Sequence, residues 1–240
     1  METMFDTLLQ LPLLQGLAKE DFTRILAKVK LSFVKYYPGD IIASSGNQSR
    51  QLIYVLRGKY TTSTTSPDGN FSFIEEWQVP TLLFPQSLFG MDTRFPATCV
   101  AVEETHVVCI AKSEMLNELF NYEIFRLNYM NILSNRAQTF QNKVELGAHL
   151  FLQRLDFCCV HSSGFCVVVS ILSLSERPVG KKTLKINMEY LGNIINETRV
   201  SVSHSLKELQ KEGLVELKRK EIIIPSLEEV RLYLFSDKQP

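Results

Sequence analysis

The stretch INMEYLGNIINETRVSVSHSLKELQ, residues 186–210, decides the reading of this chain. Leu191, Ile194 and Ile195 make the apolar face of one short helix starting near Asn187. Gly192 sits on that helix, where close approach of a second helix needs a small residue. Asn196-Glu197 can turn the chain, because asparagine tolerates the left-handed conformation. Thr198 then suits an N-cap, and Val202, Leu206 and Leu209 give the next helix its buried face. Two helices joined by so short a turn form a helix-turn-helix.

The second helix also has a clean polar face. Arg199, Ser203 and Lys207 recur every four residues, with Val200, Ser201 and His204 beside them. Short or hydrogen-bonding side chains flanked by cations are what a helix entering the major groove requires. A solvated face on a small helical domain is the plainer account of the same residues, and charge decides between the two. Downstream, Leu217-Lys218-Arg219-Lys220-Glu221-Ile222-Ile223-Ile224-Pro225 reads as two short strands around a charged turn, a wing. From Arg177 to Glu221, ten cations against six anions leave +4 in a chain whose total is zero. Lys218, Arg219 and Lys220 would sit on the wing tip, placed to neutralise phosphates.

The other residues bound the setting. Of 240 residues, 45% are apolar and 22% charged, which predicts a globular protein with room for one large or two modest domains. With 26 Lys plus Arg against 26 Asp plus Glu, a uniformly basic nucleic-acid coat is excluded. The longest nearly apolar stretch, Phe165 to Leu172, is far short of the ~20 residues of a membrane helix. Glu2 and Asp6 replace the basic start of a secretory signal, so the expected location is cytoplasmic. Five cysteines without a C-x-x-C pair fit that: Cys158, Cys159 and Cys166 have no zinc spacing, and all five are expected reduced and structural.

Three textures precede the helix-turn-helix. Leu8, Leu11, Leu14 and Leu17, then Phe22, Ile25 and Leu26, predict short amphipathic helices. From Leu31 to Ala111, turn clusters at Tyr36–Asp40, Ser45–Asn47 and Pro67–Asn70 separate β-rich runs at Gln51–Leu56, Phe71–Trp77 and Thr98–Ile110. Such strands suggest a sandwich or jelly roll. A long helix is then expected from Ser113 to about Asp156. Met130, Leu133, Ala137, Phe140, Val144, Gly147 and Phe151 form a heptad seam on it. An ordinary core-facing helix has the same stripe, but the length favours a two-chain coiled coil, hence a homodimer. Phe165, Val168, Val169 and Leu172 suit a helix face or a strand equally.

From about Leu8 to Pro225 the chain resembles the Crp/Fnr superfamily of bacterial transcription regulators. The resemblance is carried by Pro38-Gly39-Asp40, Leu56-Arg57-Gly58, Asp68-Gly69, Pro96-Ala97-Thr98-Cys99-Val100-Ala101, and Leu191 through Leu209 in unbroken order. It implies an α+β chain: a cyclic-nucleotide-binding-like β-roll (jelly roll) over 1–112, a dimerisation helix over 113–156, and a winged helix-turn-helix over 157–240. It implies no enzymatic activity, a double-stranded DNA operator, a homodimer, no resident cofactor, no membrane, and allows RNA polymerase as a partner. The DNA-contacting set it implies is Arg199, Val200, Ser201, Ser203, His204, Lys207, Lys218, Arg219 and Lys220.

The chain also departs from the family. Where cyclic-nucleotide-binding members hold a Gly-Glu pair and then an Arg and a small hydroxyl residue, Phe84, Pro85, Phe95 and Pro96 stand here, with Arg94 one residue off register. A buried cyclic phosphate without a charged or N–H partner is heavily penalised, so cyclic AMP is not expected. The first cysteine is Cys99, and the roll's sole histidine is His106, which disfavours iron–sulfur and haem sensing. An apolar effector pocket is expected around Trp77, Phe84, Gln86, Phe89, Arg94, Phe95 and Phe140, for an unknown small effector, although aromatics filling a core read the same way. Val200 and His204 stand where relatives typically carry Glu and Arg, so the operator should differ from the common one. Two rival readings are a cupin-type metal or small-molecule enzyme and an interaction protein that no longer binds DNA. The first lacks converging histidines: His106, His149, His161 and His204 are scattered.

Overall fold

The computed structural model describes residues 8–9, 11–156, 175 and 179–236; for 142–156, 231 and 234–236 it describes the backbone alone. The sequence readings at Phe165–Leu172, Cys158, Cys159, Cys166, His161 and Arg177, and at the side chains of Val144, Phe151 and His149, lie outside what is described. No described helix is long and apolar enough to cross a membrane. The chain divides into two compact units, 1–60 with 78–138 and 61–77 with 139–240.

In the first unit, Leu8 and Leu9 are helical, and Pro12 to Gly16 form tight turns. Leu11, Leu14 and Leu17 each donate to the carbonyl three residues back. Leucines spaced strictly by three fit that bonding, which places Leu8, Leu11, Leu14 and Leu17 on one buried side. Helix α1 (Lys19–Lys28) follows, burying Phe22 and Ile25. Strands β1 (Leu31–Tyr36), β3 (Gln51–Arg57), β6 (Thr81–Leu83) and β8 (Thr105–Ala111) make a sheet in the order β1-β8-β3-β6. β3 and β8 each bury four residues in a row because both faces are covered. β2 (Ile41–Ala43) pairs with β7 (Thr98–Ala101). The predicted run Thr98–Ile110 is therefore two strands, β7 and β8, parted by a turn at Val102–Glu104. Gly58 is required: at φ 104°, an added Cβ would lie 2.6 Å from backbone atoms of Glu104 and Thr105.

The long helix is interrupted where the sequence shows no breaker. α2 (Lys112–Asn117) ends, a 3-10 turn spans Leu119–Asn121, and α3 (Glu123–Asp156) begins. Met115, Leu119 and Phe125 are fully buried, and the kink turns all three inward. Asn121 donates to the Asn117 carbonyl and Arg126 to that of Phe120, satisfying groups the break would orphan.

In the second unit, the hairpin of β4 (Tyr60–Thr65) and β5 (Phe71–Trp77) meets β9 (Lys182–Ile186), α4 (Met188–Ile195), α5 (Arg199–Lys211), β10 (Glu216–Lys218), β11 (Glu221–Ile224) and α6 (Leu227–Ser236). Its strands run β10-β11-β9-β5-β4. Phe73, Leu184, Ile186, Leu191, Val202 and Leu206 share one core. The architecture is thus α+β: a β-roll, a long helix and a winged helix-turn-helix.

Candidate nucleic-acid interface

The helix-turn-helix is built by caps at both ends. The Asn187 side chain accepts from the Tyr190 amide at 2.6 Å and starts α4. Asn196 adopts the left-handed conformation at φ 54° and ends it. The Thr198 hydroxyl accepts from the Ser201 amide at 3.1 Å and starts α5. Two expectations change. What crowds Gly192 is the turn, not a second helix: an added Cβ would lie 2.7 Å from the Glu197 carbonyl. Ile194 is 51% exposed, so of the three expected apolar residues Leu191 and Ile195 are the buried ones, with Gly192 beside them.

On α5, Val202 and Leu206 are fully buried and Leu209 nearly so, which fixes the helix about its axis. Arg199, Val200, His204 and Lys207 are consequently exposed, with Ser201 and Ser203 half-buried beside them. Val200 is 78% exposed, an apolar group with no core to fill. The nitrogen Nδ1 of His204 lies 3.5 Å from the Glu208 carboxylate, a neighbour one turn on that the charge census did not connect to it. At the wing, β10 and β11 pair from Glu216↔Ile223 to Lys218↔Glu221, leaving Arg219-Lys220 as the turn. Lys218, Arg219 and Lys220 are all exposed. Lys220 takes φ 60°, the left-handed value a two-residue hairpin turn needs.

The basic footprint loses one member. Lys182 is 1% exposed, and its Nζ donates to Glu75 Oε1 at 2.9 Å, so it cannot reach a phosphate. Lys185, on the same strand, remains exposed.

Of the candidate effector residues, Phe84 and Phe95 are brought together. Phe84 and Phe95 are buried with ring centroids 6.2 Å apart. Phe84 is left-handed at φ 42° and opens the 3-10 turn Pro85–Ser87, which the Tyr129 hydroxyl holds by donating to the Pro85 carbonyl. Gln86 accepts from Arg136 at 3.0 Å, and a second Arg136 nitrogen donates to the Leu82 carbonyl at 2.9 Å. Phe89 instead stacks on Phe120 at 5.8 Å, with Lys112 Nζ 4.5 Å from its ring centre. Arg94 is exposed and already paired with Asp92, Nε to Oδ1 at 2.9 Å; that carboxylate raises the guanidinium pKa further. Trp77 belongs to the second unit, where its indole donates to Thr62 at 2.8 Å. Phe140 is 70% exposed. A narrow void under Leu11, Leu14, Leu52 and Tyr54 holds about one water and none of these residues lines it. His106 is exposed, its Nε2 3.0 Å from Glu104, which also binds Lys35 at 2.8 Å. Cys99 and Cys109 are buried, and burial pushes the Cys109 thiol up to about 11.

Two family models match the chain: a cyclic nucleotide-binding domain over residues 33–122 and a Crp-like helix-turn-helix domain over 167–233. No curated protein matches it in sequence. Among solved structures, it is similar to the catabolite activator protein of Thermus thermophilus, with 22% identity, TM-score 0.47, and coverage of 94% of this chain and 99% of that one. It is also similar to the c-di-GMP responsive global regulator CLP of Xanthomonas campestris, with 16% identity, TM-score 0.47, and coverage of 87% and 99%. A third is DNR from Pseudomonas aeruginosa, with 16% identity, TM-score 0.43, and coverage of 97% and 100%.

Proposed function

Since the chain belongs to the Crp/Fnr family of transcription regulators, which bind DNA and are not enzymes, we propose that it acts as a cytoplasmic homodimer on a pseudo-palindromic operator. One observation carries the reading: α5 is fixed by Val202 and Leu206 so that Arg199, Val200, His204 and Lys207 are exposed together, in a unit whose wing exposes three cations, Lys218, Arg219 and Lys220. Arg199 at the start of α5 reads a base, with Val200 against a thymine methyl, and Lys218, Arg219 and Lys220 hold the backbone. Residues 1–112 serve as sensor domain, 113–156 as dimerisation helix and 157–240 as DNA-binding domain.

The dimer contact runs along α3. Leu127, Met130 and Phe140 are 46%, 53% and 70% exposed there, whereas Leu133 packs against the roll core. A two-fold dimer offers one recognition helix to each half-site of a pseudo-palindrome. The effector is a small molecule other than cyclic AMP. Proline has no N–H to offer a phosphate at position 85, Phe95 fills the place of the arginine, and Arg94 is engaged by Asp92. RNA polymerase is the further partner if the protein activates transcription.

Selection of bound sites from a random duplex library tests the function. Enrichment of a two-fold symmetric site is expected; a library that returns no enriched sequence, from protein shown to be folded, refutes the proposal.

A further inference from the structure

The β4–β5 hairpin interrupts the roll in sequence, entering from β3 and returning to β6, yet it folds with the winged helix. β5 pairs antiparallel with β9 over five residues, Phe71↔Ile186 to Glu75↔Lys182. Phe73 is 4% exposed and sits in the same core as Leu184, Ile186 and Leu191. Glu75 and Lys182 form an ion pair of 2.9 Å with both side chains at least 95% buried, and Ser175 donates to the same carboxylate oxygen at 2.6 Å. At the turn, Asp68 accepts from the Tyr190 hydroxyl of α4 at 2.8 Å, and the Phe71 and Tyr190 rings lie 6.4 Å apart.

The register places this hairpin's turn beside the wing. Glu221 pairs with Lys185, and the Ile186 amide donates to the Lys220 carbonyl at 3.0 Å, so the wing turn lies at the Ile186 end of β9. Phe71, the residue after the hairpin turn, pairs with that same Ile186. β11 and β5 flank β9, so the two turns are separated by two strand spacings, roughly 10 Å. That is about one Debye length at physiological salt.

The charges are opposed. Residues 61–77 hold Asp68, Glu75 and Glu76 and no cation, a net −3 against the +4 of 177–221. The carboxylate at the turn itself, toward the Ile186 end of β9, is Asp68, whereas Glu75 lies at the other end in its buried pair with Lys182. Asp68 is firmly ionised, its carboxyl held well below the usual range by the donors of Ser66, Asn70 and Tyr190.

We propose that the hairpin Thr61–Trp77 is an inhibitory strap: paired to β9, it lays an acidic turn along the phosphate-facing edge of the winged helix, and full DNA affinity requires β5 to detach from β9. The strap is covalently continuous with β3 and β6 of the roll, so whatever the roll binds can pull on it without any contact with DNA. This inference rests on the DNA-binding reading above.

The test joins the strap to the winged helix. In Ile74→Cys with Thr183→Cys, a register pair across β5 and β9, oxidation locks the hairpin and reductant frees it. Binding to a random-sequence duplex of about 30 base pairs is measured in both states, with the parent protein treated alike. The locked form should bind roughly tenfold more weakly at low salt, with a shallower salt dependence, and recover on reduction. Hydrogen exchange on the parent protein gives a second, mutation-free readout: adding duplex should protect 199–207 and accelerate exchange in 71–76. Equal binding of locked and reduced forms, or protection of 71–76 by DNA, overturns the strap while leaving DNA binding intact. A parent that binds no duplex in either redox state overturns the DNA-binding reading and the strap with it.

Discussion

Two basic elements flank the proposed interface, and separating their roles gives the sharpest prediction. Lys218, Arg219 and Lys220 are exposed at the end of β10 and its turn and make no ion pair among the described residues, so all three charges are available to phosphates. Each phosphate contact contributes about 0.9 to the slope of log affinity against log salt. Replacing all three with alanine should therefore flatten the slope by ~2.7. Between 50 and 200 mM salt the parent should then lose roughly 40-fold more affinity than the variant, on operator and scrambled duplex alike. Arg199 is different. The Thr198 cap fixes it in the first turn of α5, where a side chain reaches base edges. Arg199→Ala should cost ~1–3 kcal/mol on the selected operator, relax preference at one base position, and change scrambled binding little. Fluorescence anisotropy with both duplexes across a salt series measures all four quantities. If Arg199→Ala and the wing variant weaken both duplexes to the same degree, Arg199 is a phosphate contact and the docking of α5 is wrong.

Three further outcomes are expected. Replacing Met130 and Phe140 together with Asp should give monomers in sedimentation velocity while leaving the far-ultraviolet spectrum unchanged; persistence of a dimer would move the interface away from α3. Leu133, named with Phe140 in the heptad seam, is the poorer target because it packs against the roll core. Gly192→Ala should destabilise the second unit by ~1–3 kcal/mol, since its Cβ would press on the Glu197 carbonyl from 2.7 Å; thermal unfolding with no shift would show that the turn yields freely. Calorimetry with millimolar cyclic AMP or cyclic GMP should be flat, and micromolar binding would mean that Arg94 leaves Asp92 to take the phosphate.

The sequence alone determined the helix-turn-helix and its wing. Their signals are local: Asn187 and Thr198 cap helices through amides three residues on, Asn196 supplies the left-handed turn, and Val202, Leu206 and Leu209 repeat at helical spacing. The break at Glu118–Tyr122 was not legible, because burial of Leu119 and Phe125 causes it rather than a glycine or proline. Nor was the fate of the hairpin. Phe71–Trp77 reads as a strand, but nothing within it names β9 as its partner more than a hundred residues away. That pairing turns Lys182 from one of ten cations counted along 177–221 into the buried partner of Glu75. A cation's role depends on what lies opposite it in space, and a pattern read along the chain carries no term for a neighbour so distant in sequence. Only the register of β5 on β9 decided it, through the exclusion of water from a charge that had to find its counter-ion.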